Sequence, residues 1–240
     1  MGFWIISTGL ALAQTSQSGT EPFAVVELFV SEGCSSCPPA DELLRQITAD
    51  AQSSGKSIYT LSFQVDYWNY LGWNDPFSSP VYTQRQQQYA TVLPGGVYTP
   101  EMIVNGQDAF VGSEAGTARQ AIEHFLSLTP ENKISFNLDQ SGNDLKINYV
   151  CTHLSDRSVI NFALVERGLT SHVHAGENEG RTLAHDNVVR EFKTIAFDDN
   201  QGTIVIPKPQ EKDLTRFSVI AFIQSKDNMV IAAATKVDLK

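Results

Sequence analysis

Hydrophobic residues run almost without interruption from residue 24 to residue 30, which predicts a strand buried on both faces. A few residues after this strand come Pro38 and Pro39. Proline lacks a backbone N–H, but it suits the first turn of a helix. Apolar residues then recur at helical spacing, and this pattern predicts a helix over residues 37–53. Residues 56–65 alternate and are rich in β-formers, so they predict a second strand, parallel to the first in a right-handed β-α-β unit.

The rest of the first half predicts further elements that alternate between helix and strand. In chain order they are an aromatic-rich loop over 66–77, a helix over 79–93, a hairpin pairing 102–104 with 109–111 around Asn105-Gly106, and a helix over 114–128.

From residue 133 onward the chain changes to short alternating strands separated by polar turns. Such a series is typical of an antiparallel sandwich of immunoglobulin-like kind. The predicted strands cover residues 134–138, 145–152, 159–166, 188–197, 203–206, 217–224 and 229–237. We place the boundary between two domains at residues 129–132, so the domains cover residues 21–130 and 131–240.

The chain of 240 residues carries a net charge of −10, which argues against binding to nucleic acid or to an anionic membrane surface. Residues 2–13 form an apolar run that ends in small residues, as a secretory signal peptide does. The run is too short to span a membrane. We assign residues 1–20 to a signal peptide and linker and expect a periplasmic or secreted protein; the alternative is an unstructured apolar terminus.

The candidate chemistry is a C-x-x-C motif, Cys34 and Cys37, between the first strand and the first helix. A helix N-terminus stabilises a thiolate, and the thiolate is the nucleophile of disulfide exchange. We assign Cys34 as the attacking sulfur and Cys37 as the resolving sulfur. A zinc site would need a second pair, but the remaining cysteine is the single Cys151, which we interpret as a buried hydrophobe. An inert structural disulfide stays open as an alternative.

This order of elements, with C-x-x-C at the first helix and Thr99-Pro100 before the third strand, resembles the thioredoxin fold. The motifs VELF-x-S-x-GCSSCPPAD, VDYW-x-YLGW and YTP are similar to a family of exported bacterial thioredoxin-like proteins of unknown function. Members of that family also carry a second, β-rich domain. The resemblance therefore implies a thioredoxin-like α/β domain followed by an all-β, immunoglobulin-like sandwich.

By position, the resemblance implies roles for several residues. Cys34 and Cys37 match the redox pair, and Pro100 matches the cis-proline that faces it, which makes Thr99 and Pro100 substrate-side candidates. Glu27 resembles the buried acid that handles protons of the resolving cysteine; the alternative is a strand-end glutamate that reaches water.

Two loops add further candidates. The aromatic loop, with Trp68 and Trp73, is either a wall beside the thiols that contacts a partner or a plug of its own core.

The loop over residues 169–187 contains three histidines and several acids, so metal binding and a passive role both stay open for it. We commit to no metal. Its sequence resembles a second-domain motif of the same family, which implies docking onto the first domain, with Arg181 and Arg190 paired to acids. The residues expected at that contact are Glu177, Asn178, Arg181 and His185.

These observations predict an exported thiol–disulfide oxidoreductase that exchanges disulfides with a protein or a small thiol and needs no organic cofactor. We expect neither a nucleic-acid partner nor stable membrane insertion. Two alternatives remain: a copper(I) carrier that uses the two thiolates, and a non-catalytic interaction protein with a structural disulfide.

Overall fold

The structure is a computed structural model, and it describes residues 14–15, 21–152, 157–196 and 199–240. The signal peptide and linker assigned to residues 1–20 lie outside the described residues, apart from the strand Gln14–Thr15. Within the described ranges, no helix is long and apolar enough to cross a membrane.

The described residues form three helices and fourteen strands, together with 3-10 turns at Asn69–Leu71 and Leu214–Arg216. The helices are α1 (Pro38–Ser54), α2 (Pro80–Ala90) and α3 (Ala115–Leu126). The strands are β1 (Gln14–Thr15), β2 (Phe23–Val30), β3 (Ser57–Gln64), β4 (Glu101–Val104), β5 (Asp108–Val111), β6 (Ile134–Ser141), β7 (Asp144–Cys151), β8 (Ser158–Glu166), β9 (Leu169–His172), β10 (Thr182–His185), β11 (Val188–Ala196), β12 (Gln201–Pro207), β13 (Phe217–Ser225) and β14 (Ile231–Asp238).

These elements confirm the strands and helices that hydrophobic periodicity predicts in both halves of the chain, with ends that differ by a few residues. The hairpin of β9 and β10 is new: it lies inside the segment that we interpret as a loop, residues 169–187. Its strands are four residues long and alternate between buried and exposed positions too briefly to give a clear signal.

The predicted fold class is wrong. Strands from both halves of the chain form one eight-stranded mixed sheet, in the order β14-β13-β8-β11-β3-β2-β4-β5. The halves join where β11 runs parallel to β3, with Val188 opposite Ser62 and the Asn187 carbonyl accepting from the Ser62 N–H at 2.9 Å. A thioredoxin-like domain followed by a separate immunoglobulin-like sandwich is therefore not what the chain forms.

The physical reason lies in the second-half strands. Eight of the nine residues in each of β8 and β13 are buried, which suits the interior of a sheet covered on both faces. One face packs against the smaller sheet of β1, β6, β7 and β12, through Phe136, Ile147 and Phe162 among others. The other face continues the core of the first half, where Ala163 and Val165 pack with Phe29 and Phe63.

Strand β2 separates two cores. Because successive side chains of a strand point to opposite faces, Val26, Leu28 and Val30 pack with α1 and α3. Val25 and Phe29 point the other way, toward the aromatic residues of α2. The cysteines belong to the first of these cores, so the candidate site lies on the α1 face of the sheet.

Candidate functional site

Cys34 and Cys37 form a disulfide at the start of α1, with Cα atoms 5.4 Å apart. Cys37 is the N-cap residue, and its carbonyl accepts from the N–H groups of Ala40 and Asp41 at 2.9 and 3.1 Å. Prolines occupy the next two positions. They are tolerated there because a backbone N–H in the first helical turn has no partner within the helix, so none is lost. The sulfur pair thus sits at the positive end of a 17-residue helix, which favours a thiolate.

Both cysteines are buried: Cys34 is 1% exposed and Cys37 is fully buried. The two serines between them are exposed, and the Cys34 Sγ lies 3.4 Å from the Ser36 Oγ. Cys34 is therefore covered, although the residues that follow it in the turn face solvent.

Thr99 and Pro100 lie beside the first turn of α1, and the peptide bond between them is cis. A Cβ placed on Gly112 would come within 3.2 Å of the Cβ atoms of both Pro100 and Ala40, so this glycine lets the two approach. The Thr99 Oγ1 accepts from the Trp68 Nε1 at 2.7 Å, and Trp68 packs against the core that contains both cysteines. The structure thus brings Trp68, Thr99 and Pro100 together around the C-x-x-C turn.

Glu32, two residues before Cys34, is the centre of a buried polar cluster that sequence reasoning missed. Its Oε2 accepts from the Trp73 Nε1 at 2.7 Å and from the Ser171 Oγ at 3.1 Å. Its Oε1 lies 3.1 Å from the His185 Nε2. Trp73 therefore belongs to the site through this carboxylate.

His185 bridges two carboxylates that flank the cysteines. Its Nδ1 lies 3.3 Å from the Asp41 Oδ1, and Asp41 is one turn beyond Cys37 on the same side of α1. Burial lowers the pKa of His185, but the charge and hydrogen bonds of Asp41 and Glu32 outweigh burial and raise this pKa to about 10. His185 is thus an imidazolium at neutral pH.

The same contacts act on the neighbouring acids. Burial raises the pKa of Glu32, but hydrogen bonds from His185 and Trp73 outweigh it and hold that pKa below its ordinary value. Asp75, which accepts from the Glu32 N–H at 2.9 Å, has its pKa raised to about 6, chiefly by burial.

The tip of the β9–β10 hairpin reaches the C-x-x-C turn. Asn178 Nδ2 donates to the carbonyls of Glu32 and Cys34 at 2.8 and 3.0 Å, and the Ser35 N–H donates to the Glu177 Oε2 at 3.0 Å. Arg181 donates to the Asn178 Oδ1 at 2.8 Å. All four residues named for this loop therefore lie at or beside the turn.

Two other residues singled out in the sequence lie elsewhere. Glu27 points to the opposite face of the sheet, where it is fully buried, pairs with the Arg85 Nε at 2.6 Å and accepts from the Tyr89 hydroxyl. It is therefore not beside the disulfide. Arg190 pairs with Glu166 at 3.2 Å and stacks over Phe77.

Among the described residues, no group of three or more histidine, cysteine, aspartate or glutamate side chains is placed to hold a metal ion. In the hairpin, His172 and His174 lie ring to ring with centroids 4.9 Å apart, and the His174 ring lies 5.6 Å from that of Trp73.

Fold and site together define a mostly β-sheet protein with a buried disulfide at the N-terminal end of a helix, surrounded by residues from both halves of the chain. The chain belongs to the family described as "Protein of unknown function (DUF1223)", whose model matches residues 25–224. Membership of a family of unknown function, which the motifs predict, is therefore confirmed.

The chain is similar over nearly its whole length to a protein of known structure. An X-ray structure of a protein from Agrobacterium tumefaciens is 28% identical, with a TM-score of 0.66 over 89% of this chain and 93% of that one. A domain of the outer membrane lipoprotein Omp28 from Porphyromonas gingivalis is 9% identical (TM-score 0.29; 46% of this chain, 89% of that one). A β-glucuronidase from Ruminococcus gnavus is 12% identical (TM-score 0.26; 45% and 15%). No curated protein matches the chain.

Proposed function

We propose that this protein is a thiol–disulfide exchange protein of an oxidising compartment, the periplasm or the extracellular space. The observation that carries the proposal is the disulfide of Cys34 and Cys37 at the N-terminal end of α1. A thiolate released at this position is stabilised by the helix and is therefore a good leaving group. The same thiolate can act as the nucleophile when the exchange runs in reverse. Exchange is also the activity implied by the resemblance of the C-x-x-C motif to thioredoxin-like proteins.

The reaction balances with a dithiol partner. A partner thiolate attacks the Cys34 sulfur, the bond between Cys34 and Cys37 breaks, and Cys37 leaves as a thiolate that takes up a proton. The partner's second thiolate then attacks the mixed disulfide and releases Cys34 as a thiolate. The partner is oxidised to a disulfide by two electrons, the protein is reduced to a dithiol, and the reverse sequence reduces a partner disulfide.

The partner is a protein or small molecule with a thiol pair or a disulfide. We assign Thr99 and Pro100 to the partner-contacting side of the site, because they border the first turn of α1 on the side where Trp68 packs. Glu32 is the carboxylate close to Cys34 in the chain, and we assign it, rather than Glu27, to the surroundings that tune this sulfur pair.

A second candidate function, a purely structural disulfide, is favoured by the burial of both cysteines. The two cysteines are three residues apart, and closing so short a loop stabilises a fold by roughly 2 kcal/mol in the chain-entropy model. A structural disulfide would fix the turn without reacting with any partner.

Reduction of insulin disulfides by dithiothreitol, followed as turbidity, tests the proposed function. Wild type is expected to accelerate the reaction, Cys34→Ser to abolish the acceleration, and Cys151→Ser to leave it unchanged. Cys151 is a suitable control because it lies in β7, in the core between the two sheets. Equal rates for wild type and Cys34→Ser would contradict exchange. If reduction of wild type then also lowered its stability by about 2 kcal/mol, the structural role would be supported.

A further inference from the structure

The nine residues 173–181 join β9 to β10, and we call them the cap. The neck of the cap is closed by backbone hydrogen bonds: the Val173 N–H donates to the Arg181 carbonyl, and the Gly180 N–H donates to the Val173 carbonyl, both at 2.9 Å. Gly176 and Gly180 adopt the left-handed backbone conformation, with φ of 79° and 78°. The cap is thus a compact unit with its own internal bonds.

Below the neck, the hairpin is attached firmly to the rest of the protein. His185 lies between the carboxylates of Glu32 and Asp41, and the Ser171 hydroxyl donates to Glu32. Buried charged contacts of this kind are costly to break. The base of the hairpin is therefore held more firmly than its tip.

Above the neck, the cap touches the C-x-x-C turn through three hydrogen bonds. Two come from the amide of Asn178, a fully buried side chain, to the carbonyls of Glu32 and Cys34. The third joins the Ser35 N–H to Glu177, whose side chain is exposed. In an arrangement with the cap away from the turn, water can form hydrogen bonds with the same groups, so breaking these three bonds is reversible.

The cap also lies against the aromatic loop. A Cβ on Gly176 would be 3.7 Å from the Trp73 Cβ and from the Leu71 carbonyl oxygen, so the cap fills the space between this loop and the C-x-x-C turn. Cys34, whose carbonyl accepts from Asn178 of the cap, is 1% exposed, although the serines next to it are exposed. Attack on a disulfide requires the incoming sulfur to reach the target sulfur along the S–S axis, so a buried Cys34 is protected.

We propose that the cap closes the exchange site of the oxidised protein and must lift, by rotation at its neck, before a thiol can reach the Cys34 sulfur. The cap is an autoinhibitory contact supplied by the second half of the chain. Partner binding beside Trp73 and Thr99 would compete for the space that the cap occupies and so hold it open. This inference rests on the proposed exchange function, but the protection of the disulfide by the cap can be measured without any partner.

The test is the rate at which dithiothreitol reduces the Cys34–Cys37 disulfide of the whole native protein, measured by quenching with a thiol-specific alkylating reagent. Asn178→Ala removes two of the three contacts, and we expect its second-order rate constant to rise about tenfold. Glu177→Ala removes the third contact, and we expect a smaller rise of about threefold. Glu179→Ala, an exposed acid of the same cap, is the matched control and keeps the wild-type rate.

Wild type and both cap variants reacting at one common rate would overturn the proposal. Asn178 is buried, so native near-UV circular dichroism is required of that variant; if it is lost, the exposed Glu177→Ala decides. The two proposals fail separately. If the cap variants are reduced faster but the protein does not accelerate insulin reduction, the cap proposal stands and the exchange function is refuted. If the protein accelerates insulin reduction but its own reduction rate is the same in the cap variants, the exchange function stands and the cap proposal is refuted.

Discussion

Glu101, the residue after Pro100, offers a sharp test of the electrostatics around the site. Its side chain is 3% exposed, and burial raises its pKa to about 7, while a hydrogen bond from the Gln86 Nε2 at 2.7 Å opposes the rise. A group whose pKa is raised by folding stabilises the native state below its unfolded pKa. That stability is lost as the pH rises through the folded pKa. The loss should therefore occur between pH 4.5 and pH 7.

The magnitude follows from the two pKa values. Moving a carboxyl pKa from 4.5 to about 7 lowers the stability of the native state at pH 8 by about 3 kcal/mol, relative to its stability below pH 4.5. Glu101→Gln removes the ionisation but keeps an oxygen that can accept from Gln86. We expect this variant to be about 3 kcal/mol more stable than wild type at pH 8 and within about 0.5 kcal/mol of it at pH 4.5.

Urea unfolding at half-unit steps from pH 4.5 to pH 9 measures this difference. Asp108→Asn, which neutralises an exposed carboxylate on the neighbouring strand β5, is the control and should differ from wild type by less than about 0.5 kcal/mol throughout. A Glu101→Gln variant that is no more stable than wild type at pH 8 would refute the reasoning. It would mean that water or another group stabilises the carboxylate.

Three further substitutions test the buried charges and the close packing. His185→Gln leaves two buried carboxylates without their cation, so stability at pH 7 should fall by about 3 to 5 kcal/mol. Since folding raises the pKa of that histidine from 6.5 to about 10, its stabilisation is complete below pH 6.5 and is lost as the pH rises to about 10, so urea titrations should show the difference from wild type shrinking over that range; a constant difference would argue against an imidazolium. Arg85→Met leaves the buried Glu27 carboxylate without its cation, so the free energy of unfolding in urea should fall by about 3 to 5 kcal/mol. The double variant with Glu27→Gln should recover part of that stability. Gly112→Ala should lower stability by about 1 to 3 kcal/mol, because the added methyl group meets neighbours at 2.7 and 3.2 Å. The control Gly116→Ala meets nothing within 4 Å and should be neutral or stabilising in thermal unfolding.

Local patterns predict local structure well in this chain. The apolar run of β2, the Pro-Pro start of α1 and the turn at Asn105-Gly106 each specify an element, and each is present in the structure. The helix-bound disulfide follows from the spacing of Cys34 and Cys37, since residues three apart at a helix start lie within bonding distance.

Long-range pairing was not predictable in the same way. Nothing near Val188 or Ser62 in the sequence indicates that β11 aligns beside β3, because a parallel pairing between distant segments leaves no local signal. The role of Glu27 is implied by its resemblance to the buried acid of thioredoxin-like proteins, but an apolar strand does not reveal which of its faces a given helix covers, and the side chain lies on the face away from the cysteines. Glu32 was overlooked because a single acid next to a turn usually faces water, and its partner His185 comes from 153 residues further along the chain.

The join between β3 and β11 also determines how this protein can be dissected in the laboratory. A fragment that stops at residue 130 would leave β3 as a bare outer strand, and such strands promote edge-to-edge aggregation. That fragment would also lack His185, the cation between the carboxylates of Glu32 and Asp41. The halves are therefore not interchangeable modules. Experiments on the cysteines need the polypeptide through β14, and any evolutionary exchange of one half would have to preserve this seam.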